Sequence, residues 1–425
     1  MLWPLTRITI SRKLNISCDD TLQCKHNILV LSSTLDQIVN GEALMPMILN
    51  EEQTMLKDSA KDFCTTNTPI TQLRALRDGA NSDGFDRGTW NSMVELGWAA
   101  IPWGEEHGGL AFGYKGLGVV TEESGRTLTA SPLYASVWVG GTVINVGGSA
   151  EQKNELLPKV AAGELLLALA LEESHRHNPY NIATTATASG AGYSLSGSKT
   201  FVLDGNVADH LIVVARSSGD THSRDGISLF LVDAKADGVT VTRTIMADSR
   251  NAANITLSNV TVGADALIGT LGQGADTLDV ALDIARIGLC AEMLGGLQEC
   301  FERTVAYLKE RKQFGVAIGS FQALKHRAAD MFCEIELSKS CVLEALTALD
   351  EGRDGDEIAK LASLAKTKVG ETYNLVSREG IQMHGGIGMT DEFEIGFFIK
   401  RAAVSEQTFG DVNFHRNRYG VLEGY

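Results

Sequence analysis

Proline and cysteine are scarce in this chain, each occurring 7 times in 425 residues. With so little proline, 44% hydrophobic residues and 21% charged ones, the composition excludes a disordered chain and leaves a globular one able to bury a core. The cysteines are Cys18, Cys24, Cys64, Cys290, Cys300, Cys333 and Cys341. They form no CxxC pair, and an odd, scattered set argues against a disulfide framework. Most fall inside helical patterns, where a free thiol behaves as a small buried apolar residue, so reduced structural thiols and a cytoplasmic location are expected. No apolar run reaches the ~18 residues of a membrane span. Basic residues are outnumbered 37 to 53, giving a net charge of -16, so no basic footprint of a nucleic-acid binder is present. Glycine is plentiful at 44, but it follows no G-X-Y period, which excludes a collagen-like chain. The length predicts roughly two or three domains.

The first 44 residues differ from the rest. Arg7, Arg12, Lys13 and Lys25 balance Asp19, Asp20, Asp36 and Glu42, so the whole acidic excess belongs to residues 45–425. Residues 1–46 are expected to be a dispensable extension, unstructured or translated from too early a start. The alternative is a transit peptide, which would imply the mitochondrial matrix. Asn50-Glu51-Glu52 reads as a helix cap followed by acids in the first turn.

Residues 47–163 read as helical. Met55, Ala60 and Phe63 fall at near-helical spacing, and Trp90, Met93, Val94 and Trp98 recur on one face. Segments 116–127, 133–146 and 150–161 read as further helices. Residues 164–268 change character, with short β-rich runs at 184–188, 193–195, 199–203, 210–215, 228–232 and 239–244. An antiparallel β domain is expected there. Residues 269–425 return to a helical pattern in long segments, about 275–311, 318–350, 356–384 and 391–413. Short glycine-bearing links between the first three predict antiparallel neighbours in a four-helix bundle. The fold class is therefore α+β, in the order α, β, α.

Two segments carry chemistry. One is Glu310-Arg-Lys-Gln-Phe-Gly315, followed by Phe321-Gln322, His326 and Ala329-Asp-Met331; the other is Gly380-Ile-Gln-Met-His-Gly-Gly-Ile-Gly388. Taken alone, Arg311 is a solvated helix-ending charge and Gly385-Gly386 a helix C-cap. Taken together, with their spacing and the α-β-α order, the chain over residues 47–415 resembles the acyl-CoA dehydrogenase family.

The resemblance implies an FAD-dependent enzyme that introduces an α,β double bond into an acyl-CoA thioester, with an electron-transfer flavoprotein as acceptor. It implies that Arg311 reaches the FAD pyrophosphate of a neighbouring subunit, a charge that suits a guanidinium fork. Phe314 and Gln322 would accompany it, and Gln382, Gly385 and Gly386 would approach the adenosine half. A homo-oligomer, or an assembly with a sister chain, follows. On the flavin side the family's Thr-Glu-Pro turn is replaced by Leu171-Glu172-Glu173, and its aromatic-x-Thr stretch by Phe201-Val202-Leu203. Phe201 can still pack on the ring, whereas Leu171 and Leu203 offer no hydroxyl. Each such loss is worth about 0.5–1.5 kcal/mol.

Counting from the two motifs, the positions where the family keeps its catalytic carboxylate are Phe409 and Ala285, with Arg286 as the substrate-side arginine. Neither Phe nor Ala accepts a proton. Glu406, one turn before Phe409, and Asp411, freed if the helix frays at Gly410, are the expected substitutes. Asp283 is expected to face away, and His384 and His415 rank as lesser proton carriers. The tail, Phe409-Gly-Asp-Val-Asn-Phe-His415-Arg416, resembles a subgroup acting on bulky substrates such as steroid side chains, in which two different chains combine. Three functions are thus expected to compete: an active dehydrogenase with a relocated base, a non-catalytic FAD-binding subunit of a heteromer, and a redox-inactive acyl-CoA-binding homologue.

Overall fold

The computed structural model describes residues 48–425. The expectations for residues 1–46, and for Cys18 and Cys24, lie outside the described residues. Asn50 opens the first helix, α1 (Glu51–Asn67), as its local sequence dictates. Its side chain accepts from the Gln53 N–H at 2.7 Å, while Gln53 Oε1 accepts from the Asn50 N–H at 3.1 Å. This reciprocal pair satisfies two otherwise unpaired donors of the first turn.

Helices α2 (Ile70–Asp78) and α3 (Arg87–Glu95) follow. Trp90 and Met93 pack inward from α3. The helix stops at Glu95, so Trp98 enters the core from a 3-10 turn, Trp98–Ala100, and not from the predicted helical face. Then come α4 (Gly113–Arg126), a π-helical stretch (Leu133–Gly141), α5 (Thr142–Gly147) and α6 (Ala150–Ala161). The segment 133–146 is therefore not one regular helix. Wider π turns of this kind are rare and concentrate at functional sites.

The middle segment is one eight-stranded sheet among the described residues, with a shorter strand at its start: β1 (Leu167–Ala170), β2 (Thr185–Ser189), β3 (Gly192–Leu203), β4 (His210–Arg216), β5 (Ile227–Asp233), β6 (Val239–Ile245), β7 (Asn251–Gly263) and β8 (Leu267–Ile268). The order is β6-β7-β3-β2-β4-β5-β8, with β1 beside β4. The expected antiparallel arrangement needs correction. β1 runs parallel to β4, from Leu167 opposite His210 to Ala170 opposite Val213, and β2 meets β4 in parallel at Thr185 and Arg216. The polypeptide returns to β4 through the β2–β3 hairpin, and such a crossover permits parallel pairing. Two expected runs, 193–195 and 199–203, join in β3, whose register on β7 breaks between Lys199 and Val202. That bulge turns Phe201 outward, leaving it 50% exposed with φ of +51°.

The last segment begins with α7 (Gly274–Glu310), which at 37 residues is the central helix. It is buried on every side from Ala281 to Leu297. A hairpin of β9 (Lys312–Gln313) and β10 (Val316–Ala317) precedes α8 (Gln322–Asp350) and α9 (Gly355–His384). The expected fourth helix is broken in two, α10 (Ile395–Gln407) and α11 (Val412–Leu422). One continuous apolar core links residues of the first segment, the inner sheet face and the helices after it, while a second cluster covers the other face of the sheet. Cys64, Cys290 and Cys300 are buried in these helices, whereas Cys333 is exposed on α8. No helix among the described residues is long and apolar enough to cross a membrane.

Candidate active site

A cavity of about 510 Å³ opens between the sheet and the end of α10. Phe201 and Leu203 line it from β3, Ile245 to Ala247 from the end of β6, and Ala403, Val404, Gln407, Thr408 and Phe409 from the helical side. Glu172, Ser174, His175 and His177 close it from the loop after β1. Its walls are mostly apolar, and among the described residues they carry one carboxylate, that of Glu172.

The break after α10 is tightly held. Phe409 has φ of +55° and Gly410 of +110°, so the chain turns sharply here. The Lys366 ammonium donates to the carbonyls of Ser405 at 2.9 Å, Glu406 at 2.8 Å and Gly410 at 3.0 Å. The first two are carbonyls that the end of α10 would otherwise leave unpaired. Burial pulls Lys366 down to about 8, with Arg286 adding to the shift and Cys290 and Glu406 opposing it. Arg286 Nε donates to the Phe409 carbonyl at 3.1 Å, and His415 Nε2 lies 3.1 Å from the same oxygen. Burial, with Arg286 and Lys366 nearby, holds His415 well below its ordinary value, so it is neutral.

Arg286 is itself fixed from two sides. Its Nη1 donates to Asp283 Oδ1 at 2.9 Å, and Asp283 also receives both terminal nitrogens of Arg418 at 2.7 Å. Its Nη2 stands 2.9 Å from His177 Nε2, and His177 Nδ1 stands 2.5 Å from Glu172 Oε1. A guanidinium can only donate, so Nε2 accepts and the imidazole proton sits on Nδ1, facing the carboxylate. Burial lowers the His177 pKa, Arg286 and Lys366 lower it further, and Glu172 opposes them.

Neither Glu406 nor Asp411 lines the cavity. Glu406 is half-buried beside it, its carboxylate accepting from Gln407 Nε2 at 3.0 Å. Asp411 is the N-cap of α11, accepting from the Phe414 N–H at 2.7 Å. It lines an adjoining hollow with His175, Arg176, His177, Gln407, Asn413 and Phe414. The expected fraying at Gly410 is opposed by the clamp of Lys366, Arg286 and His415. Ala285 is wholly buried, and its carbonyl accepts from the Tyr134 hydroxyl at 2.9 Å. His384 lies on another part of α9, its Nδ1 on the Gly380 carbonyl at 2.6 Å.

Sequence models of the acyl-CoA dehydrogenase N-terminal, middle and C-terminal domains match residues 50–164, 168–260 and 272–420. This chain belongs to the acyl-CoA dehydrogenase family. It is 30% identical over 364 residues to a probable acyl-CoA dehydrogenase, YngJ, of Bacillus subtilis, covering 84% of this chain and 94% of that one. It is 27% identical to the caffeyl-CoA reductase-Etf complex subunit CarC of Acetobacterium woodii, over 82% of this chain and 92% of the relative. Among solved structures, the steroid ACAD Tcur3481-Tcur3483 aligns with a TM-score of 0.79 at 32% identity, covering 88% of this chain and 98% of that one.

In this family member the two motif segments, far apart in sequence, come to one end of the helices. Tyr307 stacks on His384 with ring centroids 4.3 Å apart and donates to the His384 carbonyl at 3.3 Å. One turn later the Arg311 N–H bonds the Tyr307 carbonyl at 2.9 Å, while Gly385 directly follows His384. Arg311, Gln322, Gln382, Gly385 and Gly386 are all exposed, and Phe314 is 90% exposed at φ of +55°. Among the described residues no carboxylate pairs with Arg311. Gly385 has φ of +65°, and a Cβ on Gly385 or Gly386 would meet nothing within 4 Å, so backbone is presented to an open face. Glu172 entered the sequence reading only as part of the turn that replaces Thr-Glu-Pro, and His177 did not enter it. The local signal was present, a carboxylate five positions before a histidine in a loop with a second histidine.

Proposed function

We propose that this chain binds FAD and dehydrogenates an acyl-CoA thioester between its α and β carbons, with a catalytic base that has moved from the family's usual positions. The observation that carries this reading is the apolar cavity between Phe201 and Phe409, beside a buried Arg286 and open to one carboxylate. The residues present suit the cofactor. The unpaired guanidinium of Arg311 and the open backbone at Gly385 and Gly386 would hold the pyrophosphate and adenosine half, with Phe314, Gln322 and Gln382 around them. Leu171 and Leu203 provide no side-chain donor on the flavin side, so main-chain groups must serve there. The flavin supplies a two-electron acceptor for the β-hydride. The chain's own parts exclude water from the reacting carbons, orient the thioester and take the α-proton.

An exposed phenylalanine and an unpaired arginine at the outer end of the helices favour completion of the cofactor site by a second subunit. An electron-transfer flavoprotein is the proposed acceptor, in keeping with the Etf complex named for the Acetobacterium relative. We take residues 47–163, 164–268 and 269–425 as the three domains of this chain.

A second reading has a specific observation behind it. Phe409 and Ala285 are both apolar, and the likeness to Tcur3481-Tcur3483 is to an assembly whose name joins two chains. On that reading this chain supplies FAD contacts to a base-bearing sister chain. Purification with flavin, alone and mixed with the sister chain, tests both. Flavin colour that bleaches with acyl-CoA in the lone chain supports the first reading, and bleaching only in the mixture supports the second. Persistently colourless protein in both overturns the FAD assignment. Arg311→Ala is expected to weaken FAD retention by about 1.5–3 kcal/mol, the worth of a charge-assisted contact, as measured by flavin release on dilution.

A further inference from the structure

Acyl-CoA dehydrogenation leaves an α-proton that some group must accept. Phe409 and Ala285 cannot, Glu406 stands outside the cavity, and Asp411 caps α11. Glu173 is committed elsewhere: its carboxylate accepts from Lys199 Nζ at 2.7 Å and from the N–H groups of Ala183 and Thr184 at 2.6 and 3.0 Å. Among the described residues, the one carboxylate lining the cavity is that of Glu172. Building on the dehydrogenase reading above, we propose that Glu172 is the proton acceptor for the α-carbon of a bound acyl thioester, and that His177 and Arg286 are its positioning residues.

The geometry supports this at each link. Asp283 fixes Arg286, Arg286 donates to His177 Nε2 at 2.9 Å, and His177 Nδ1 donates to Glu172 Oε1 at 2.5 Å. The imidazole is buried, with the rings of Phe409 and Phe414 set edge-on at centroid distances of 6.3 and 4.8 Å. It cannot rotate without losing both hydrogen bonds. One carboxylate oxygen is thereby held, and no donor among the described residues reaches the other, Oε2. Because the imidazole is neutral, Glu172 is oriented by a hydrogen bond and not tied up in an ion pair. The order Arg–His–Glu thus does for a carboxylate what an orienting partner does for any general base: it fixes the direction of the accepting lone pair.

The step balances simply. The α C–H bond breaks and an O–H bond forms on Glu172 Oε2. The electron pair stays on carbon, spread into the thioester carbonyl. In the full reaction the β-hydride passes to the flavin oxidant, and the double bond closes.

The test isolates the proton step. Phenylacetyl-CoA has an acidic α-CH₂ but no β-hydrogen to lose, so it reports deprotonation alone. The FAD-loaded full chain is incubated with it in D₂O, and deuterium at the α-carbon is followed by mass spectrometry against a protein-free control. Wild type is expected to exchange, Glu172→Gln to slow exchange by about 100-fold or more, and Phe409→Glu in the Glu172→Gln background to restore it from the facing wall. His177→Gln, which keeps an N–H donor, is expected to retain more exchange than His177→Phe; equal rates would remove His177 from the positioning role. Wild-type exchange in Glu172→Gln overturns the proposal and leaves the dehydrogenase reading standing. So does exchange in Phe409→Glu with none in wild type. Silence in every variant, in protein that also fails to take up flavin, overturns both.

Discussion

Arg286 holds the main chain of Phe409, its Nε donating to that carbonyl at 3.1 Å across 123 positions of sequence. The two residues are therefore one structural unit. The position that the family resemblance assigns to the base carries a phenyl ring, while its backbone is pinned by the arginine assigned to the substrate side. The same guanidinium continues to His177, and so joins that position to Glu172. The clamp on the turn after α10 explains why a carboxylate two or three residues away does not swing in.

Lys366 is the other half of that clamp. Lys366→Met strands the carbonyls of Ser405, Glu406 and Gly410 inside the protein. Each unpaired buried group costs about 1–3 kcal/mol, offset in part by removing a buried charge. We expect a net loss of about 2–4 kcal/mol in chemical denaturation, and a larger fall in acyl-CoA affinity than a surface Lys→Met control shows.

Asp204 follows Leu203 and is half-buried, with no donor to its carboxylate among the described residues. Burial pushes it up to about 7, Asp248 and Glu292 adding to the shift and Arg250 and Arg401 opposing it. The folded value is above the ordinary carboxylate value of about 4, so between about 4 and 7 the native state binds more protons than the unfolded one. Its contribution therefore turns unfavourable as pH rises through that window. Asp204→Asn is expected to gain stability over wild type on the order of 2 kcal/mol at pH about 8, and little at pH about 4. Paired urea melts at the two pH values check the sign; a larger gain at the acid end contradicts it.

The crossing of α4 and α7 depends on two glycines. A Cβ on Gly125 would lie 2.0 Å from the Glu292 carbonyl oxygen, and one on Gly295 would lie 1.8 Å from that of Glu122. Helix interiors normally favour alanine over glycine by about 1 kcal/mol. Here the sign reverses, because backbone cannot move aside as a flexible side chain can. Gly295→Ala is expected to destabilise by about 1–3 kcal/mol or more, whereas Gly420→Ala, with open space around it, should not. Thermal melts of the two variants decide.

Much of the frame was legible in the residues. Asn50 and Gln53 make a cap from side chains three apart, and α6 occupies the predicted 150–161. β7, the longest strand, escaped detection because Asn251, Asn254 and Asn259 read as turn residues. In the fold its β3 and β6 neighbours supply hydrogen bonds on both edges, which outweighs weak local propensity. β1 escaped because Leu-Ala-Leu-Ala favours a helix in isolation.

By itself the sequence determined the α-β-α order, through periodicity along the chain, and carried the two motif segments by which it resembles its family. That resemblance, and not composition, marks Phe409 and Ala285 as positions without a carboxylate. The tertiary structure alone decided which acid faces the cavity. Glu406 and Asp411 are near Phe409 in sequence, but one lies beside the site and the other is bound to the first turn of α11. Glu172 is 237 positions from Phe409 by numbering, yet both line one wall-to-wall cavity, linked through His177 and Arg286. Hydrogen bonds act over a few ångströms of space, and only the packed chain sets which distant residues come within that reach.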